Sequence, residues 1–131
     1  MKIKTVLLAF ATLVLCSCNP GGFPKVYNAP KPGAFPLLKD GVTASIWTDP
    51  ADFPVVGICA NLLSDDIERV GQVRPQTFTA ASPDNVEGDN VVIAGTIGHS
   101  GLVDALIEAG KIDVSGIEGK WESFVVKTVA K

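Results

Sequence analysis

The chain has 131 residues, 47% of them apolar and 19% charged, and a formal net charge of −3. That is enough for one small globular domain and excludes a (β/α)8 barrel, which takes ~250 residues. Acidic residues outnumber basic ones and no basic stripe is present, so no nucleic-acid partner is expected.

Residues 1–17 read as a signal peptide. Lys2 and Lys4 precede an apolar run over 5–15 that would span ~16 Å as a helix, too short for a bilayer core of ~30 Å. The run ends in Leu15-Cys16-Ser17-Cys18, which resembles a bacterial lipobox with an aliphatic residue three before the cysteine and a small one just before it. Cys18 is therefore the expected lipidated residue; Cys16 fits badly because Leu15 would precede it. Several acyl chains on one residue give the stable anchoring that a single chain does not. The expected address is the cell envelope of a Gram-negative bacterium, as a membrane-anchored lipoprotein on the periplasmic or outer-membrane side. Lipid then occupies Cys18 and Cys16 leaves with the leader, so Cys59 is left without a disulfide partner and reads as a small buried hydrophobe.

Residues 18–34 follow as the lipidated cysteine and a Pro/Gly-rich tether. The stretch NPGGFPKVYNAPKPGAFP over 19–36 carries five of the nine prolines, and its semi-extended reach is ~50 Å at ~3.1 Å per residue.

The folded domain is expected over 35–131. Residues 35–38, the turn Lys39-Asp40-Gly41 and residues 42–47 read as a hairpin, since Asp-Gly supplies residues able to take positive φ. Asp49 or Asp52 can cap the next helix, with Pro50 suited to its first turn and Pro54 delaying its hydrogen-bond ladder. Val56, Ala60, Leu63, Ile67 and Val70 recur at helical spacing and predict its buried face. Asn61, Ser64, Asp65, Glu68 and Arg69 fall elsewhere, Asp65 and Arg69 pair at i,i+4, and Gly71 suits the exit. Residues 73–80 read as a strand, with Pro75 favouring an edge or a strand start, and Val91-Val92-Ile93-Ala94 as a strand covered on both faces. A glycine turn over 95–101 leads into a short helix with Leu102, Val103, Leu106 and Ile107 on one stripe, Ser100 as N-cap and Gly110 as stop. After a loop over 111–120, residues 121–129 read as a strong strand. The fold class is α/β (α+β): a small open mixed sheet with two helices packed on it, in the order ββαββαβ. An apolar terminal strand wants a following neighbour, so the domain is expected to be incomplete at its C-terminus.

None of the chemistry-bearing residues forms a recognisable catalytic constellation. Gly95, Gly98 and Gly101 make GxxGxxG, neither the dinucleotide GxGxxG nor the GxxxxGK[ST] loop, and read as a tight strand-to-helix turn. His99 is the single histidine and has neither a triad order nor a second metal ligand near it, so it reads as a locally bonded helix-start residue. The carboxylates read as caps, a solvated helix face and loop residues, with no pair lodged in an apolar pocket for acid/base work. Trp47 and Trp121, each beside an apolar strand, read as core or inter-domain packing. No cofactor, metal or catalytic residue is expected.

Two long runs, ASIWTDPADFPVVGICANLLSDDIERVGQVRP over 44–75 and VVIAGTIGHSGLVDALIEAGKIDVSGIEGKWESFVV over 91–126, resemble the N-terminal domain of glycoside hydrolase family 115, the xylan α-glucuronidases. The resemblance rests on the strand-DPAD-helix passage at 49–52, the DIERV segment at 66–70, the GTIGHS turn at 95–100 and the block at 111–124. It covers about 35–129. It implies a non-catalytic accessory domain of an enzyme that releases glucuronic acid or its 4-O-methyl derivative from xylan, the chemistry residing in a barrel that follows this domain. No active-site position of the family has a counterpart here, and the family's strand and helix after FVV are missing. Gly98, His99, Ser100, Trp121 and Glu122 are the candidate inter-domain or ligand-facing residues. The partners implied are the membrane, through the lipid, and a catalytic barrel or a xylan-derived saccharide. The alternative is a stand-alone periplasmic or surface lipoprotein that binds carbohydrate or a protein.

Overall fold

The computed structural model describes residues 26–29 and 31–130. The expected signal peptide, Cys18 and the first part of the expected tether lie outside the described residues.

The chain forms a mixed helix-and-strand domain. β1 (Leu38–Lys39) and β2 (Val42–Thr43) make a small antiparallel ladder, Leu38 opposite Thr43. The turn between them places Asp40 at φ 51° and Gly41 at φ 79°, the two positive values that a tight hairpin requires. The hairpin is shorter than expected. After Ala44 the chain leaves it as β3 (Ser45–Thr48), which takes two parallel neighbours, β4 (Thr77–Thr79) and β5 (Val91–Ala94), in the order β4-β3-β5. The expected single mixed sheet is thus two sheets, an antiparallel pair and a wholly parallel triplet.

α1 (Pro54–Gly71) links β3 to β4, and α2 (Gly101–Glu108) follows β5. Side chains alternate across β3, so Trp47 faces α2 and Ile46 with Thr48 faces α1. Trp47, Ala80 and Leu102 form the core on the α2 side, with Val86, Val91 and Ile93 packed against them. Trp47 also stacks on Phe78, ring centroids 4.8 Å apart. The core expectation for Trp47 holds, whereas Trp121 is 88% exposed.

The buried face of α1 differs from the predicted stripe. Its inward line runs through Val56, Gly57, Ala60, Ser64, Ile67 and Gly71, while Leu63 and Val70 point outward. Ser64 is fully buried and donates its hydroxyl to the Pro75 carbonyl at 2.8 Å, tying the helix to the approach of β4. Small residues let helix and sheet backbones come close, and Leu38 occupies the space that a Cβ on Gly71 would need. Cys59, expected to be buried, is exposed because it lies off this line. Arg69 pairs with Asp66 rather than Asp65, and Arg74 pairs with both Asp65 and Glu68. The left-handed exit residue of α1 is Gln72, φ 60°, one beyond Gly71. Ser100 and Gly110 do cap and stop α2, the latter at φ 66°.

The terminal strand is the largest departure. Residues 123–130 form no strand, and Phe124, Val125 and Val126 are exposed. The observed order therefore stops at α2, and the last β of ββαββαβ is absent among the described residues.

Candidate functional site

Helices on opposite faces of a parallel sheet create a switch point at the carboxyl ends of the strands that lead into them, and α/β folds take ligands there. In this chain the switch point lies where β3 runs into residues 49–53 and β5 into residues 95–100.

Two buried carboxylates fill it. Asp49 accepts the main-chain N–H of Ala51 on Oδ1 at 2.8 Å and that of Gly101 on Oδ2 at 2.7 Å. Asp52 accepts Phe53 N–H on Oδ1 and Thr96 N–H on Oδ2, both at 2.7 Å. Neither caps α1, whose N-cap is Phe53 with no side-chain hydrogen bond. Their acceptors are spent on holding the β3–α1 loop against the β5–α2 loop. Asp104, in the first turn of α2, takes Gly98 N–H at 2.8 Å.

The three glycines fit the same purpose. A Cβ on Gly95 would lie 2.5 Å from Ser100 Oγ, and one on Gly101 would lie 2.6 Å from the Ala81 carbonyl oxygen. Gly98 sits at φ 77°, where side chains are strained. The amides of Thr96, Gly98 and Gly101, which an anion would have to use, already face carboxylates. The turn lacks the open N–H cradle of a phosphate loop.

Of the sequence candidates, Ser100 is fully buried and accepts Val103 N–H as the α2 cap. His99 is exposed, its ring 4.3 Å from that of Phe53. Gly98 is exposed at the tip of the turn. Trp121 and the left-handed Glu122, φ 52°, lie beyond α2, and no hydrogen bond, ion pair or ring contact joins them to residues 98–100. Phe53, Asp49, Asp52 and Asp104 were not marked by sequence as partners of the turn. The Asp104 position, four after a Ser cap, was the only local signal.

Among the described residues no group of three His, Cys, Asp or Glu side chains is placed to hold a metal ion. One carboxylate has a shifted proton affinity: Asp113 is held below its ordinary range by the Ser115 hydroxyl, at 2.7 Å, and then by the Ser115 N–H. It is a loop device remote in sequence from the switch point.

An open groove of about 570 Å³ lies elsewhere, beside the edge strand β4. Trp47 and Phe78 form its apolar floor. Gln76, Asn85 and Glu87 line it with side chains that make no hydrogen bond within the described residues.

No known family matches the chain, and no curated protein matches it either.

Proposed function

We propose that this chain is the non-catalytic N-terminal accessory domain of a xylan α-1,2-glucuronidase of the glycoside hydrolase family 115 type, carried on an envelope lipoprotein anchored through Cys18. Support comes from the sequence resemblance, and one observation in the structure carries it furthest. The segments 49–52 and 95–101, which hold two of the resembling motifs, are bonded to each other through Asp49 and Asp52. Each of the four carboxylate oxygens accepts a main-chain N–H, so these residues organise a scaffold and leave acid/base chemistry to another domain. The remaining carboxylates among the described residues are exposed, apart from the half-buried Asp65, which pairs with Arg74, and Asp104, which accepts the Gly98 N–H; glycoside cleavage requires two carboxyl groups facing each other across a cleft.

The test is release of glucuronic acid from glucuronoxylan and aldouronic acids by the intact chain, alone and mixed with a separately expressed family 115 barrel. The expected result is no release alone and an increase in the barrel's turnover on mixing. Turnover by the chain alone that disappears on Glu118→Gln or Glu122→Gln overturns the reading, as does a barrel indifferent to the chain.

A second reading, a stand-alone envelope lipoprotein that binds saccharide, is favoured by the groove over Trp47 and Phe78, where an aromatic floor is rimmed by the side chains of Gln76, Asn85 and Glu87, which make no hydrogen bond among the described residues. Xylo-oligosaccharide that shifts the NMR signals of Phe78 and of the Gln76 amide supports it; unchanged signals at millimolar sugar remove it.

A further inference from the structure

We propose, building on the saccharide-binding reading of the groove beside β4, that this groove selects by charge and takes a pyranoside bearing an ammonium group, with Glu87 as the residue that sets the choice.

The groove's volume of about 570 Å³ falls in the range of small-molecule sites, ~300–1,000 Å³. Trp47 is buried and backs the ring of Phe78, their centroids 4.8 Å apart, so Phe78, 40% exposed, is the aromatic surface that a ligand reaches. Such a surface holds the C–H face of a pyranose and attracts a cation through its ring quadrupole. The Trp47 Nε1–H is already donated to Ser45 Oγ at 2.9 Å. Polar recognition therefore falls to the side chains of Gln76, Asn85 and Glu87, none of which makes a hydrogen bond or ion pair among the described residues. The two amides supply donors and acceptors for hydroxyl groups, whereas the ionised carboxylate only accepts.

Charge decides among sugars. No Lys or Arg lines the groove, and the passage 83–90 that contributes Glu87 also carries Asp84 and Asp89 and has no basic residue. The cation nearest in sequence to Gln76 is Arg74, which is held by Asp65 and Glu68. A uronate entering the groove meets uncompensated negative charge. A neutral ring offers Glu87 a hydroxyl donor, and an ammonium offers it a charge-assisted hydrogen bond. At ~4 Å in a water-like setting one such pair is worth about fivefold in affinity.

The experiment titrates the full chain at low salt and about pH 6, where a sugar amine is protonated, with three methyl β-pyranosides that share one ring: the 2-amino-2-deoxyglucoside, the glucoside and the glucuronide. NMR shifts of Phe78 and of the Gln76 side-chain amide report binding. The expected order of affinity is amino sugar, glucoside, glucuronide, with about fivefold between the first two. Glu87→Gln, at an exposed position where the fold tolerates change, should remove the amino sugar's advantage and leave the glucoside's affinity within about twofold. Equal affinity for the three sugars overturns the proposal and leaves the saccharide reading standing, whereas no shift with any of them removes both. Ethylammonium that matches the amino sugar overturns it in favour of a loose counter-ion. Nα-acetyl-lysine amide that binds more tightly than the amino sugar overturns it in favour of a peptide. An amino-sugar advantage that persists in Glu87→Gln overturns the role given to Glu87.

Discussion

Asp52 accepts the main-chain N–H of Thr96 at 2.7 Å across 44 residues of sequence. It joins the end of β3 to the end of β5 at a point where neither strand could hold the other by its own ladder. The carboxylate is buried, and hydrogen bonds to a charged group are worth more than neutral ones. Asp52→Ala leaves two amides, those of Phe53 and Thr96, without this acceptor and should cost ~2–4 kcal/mol in urea unfolding. Asp52→Asn, which keeps one acceptor oxygen, should cost less. Equal midpoints for all three proteins would show that the bond contributes nothing.

Glycine substitutions should separate by cause. In Gly101→Ala the new methyl meets the Ala81 carbonyl, a backbone atom that cannot rotate away, and the loss should be ~2 kcal/mol or more. Gly98→Ala meets open space but keeps positive φ, at ~1 kcal/mol. Gly57→Ala, helical with room for the methyl, should stabilise by ~0.5–1 kcal/mol. Thermal midpoints in the order Gly57→Ala, parent, Gly98→Ala, Gly101→Ala are the expected result.

Asp113 should titrate below an ordinary aspartate, because the Ser115 hydroxyl and N–H both stabilise its charged form. A lowered folded-state value contributes stability above the unfolded aspartate range that is lost as the pH falls through the folded value. Ser115→Ala removes the larger of the two causes and should move the Asp113 carboxyl resonance midpoint upward in an NMR pH titration. An unmoved midpoint would show that the main-chain bond alone sets it.

At the N-terminus, a fatty-acid probe should label the parent and Cys16→Ala and fail to label Cys18→Ala. Label that survives Cys18→Ala and vanishes in Cys16→Ala would reverse the assignment.

What could be read from the sequence was what depends on near neighbours. Val91–Ala94 and the Ser100 cap were legible because a continuous apolar run and a serine before a helical stripe act locally. The face of α1 was not, since hydrophobicity favours Leu63 and Val70 while packing on the sheet buries Ala60 and Ser64. The roles of Asp49 and Asp52 were hidden for another reason: a carboxylate before a helix reads as its cap, and amides 44 and 52 residues away leave no trace in spacing. Residues 123–129 carry strand propensity but pair with no strand among the described residues, and propensity alone does not make a strand.

The carboxyl-end rim of a parallel sheet is where α/β domains usually gain new ligands, by letting loops vary over a fixed scaffold. In this domain the rim is fastened shut: the main-chain N–H groups of residues 96 and 101 take their acceptors from Asp52 and Asp49, and Gly95 and Gly101 admit no larger side chain without displacing their neighbours. Both loops are therefore held to a narrow choice of residues. Exposed positions free of that bond, Glu87, Asp89 and Asn90 before β5 and Gly116, Glu118 and Lys120 after α2, are where variation can accumulate at little cost to the fold.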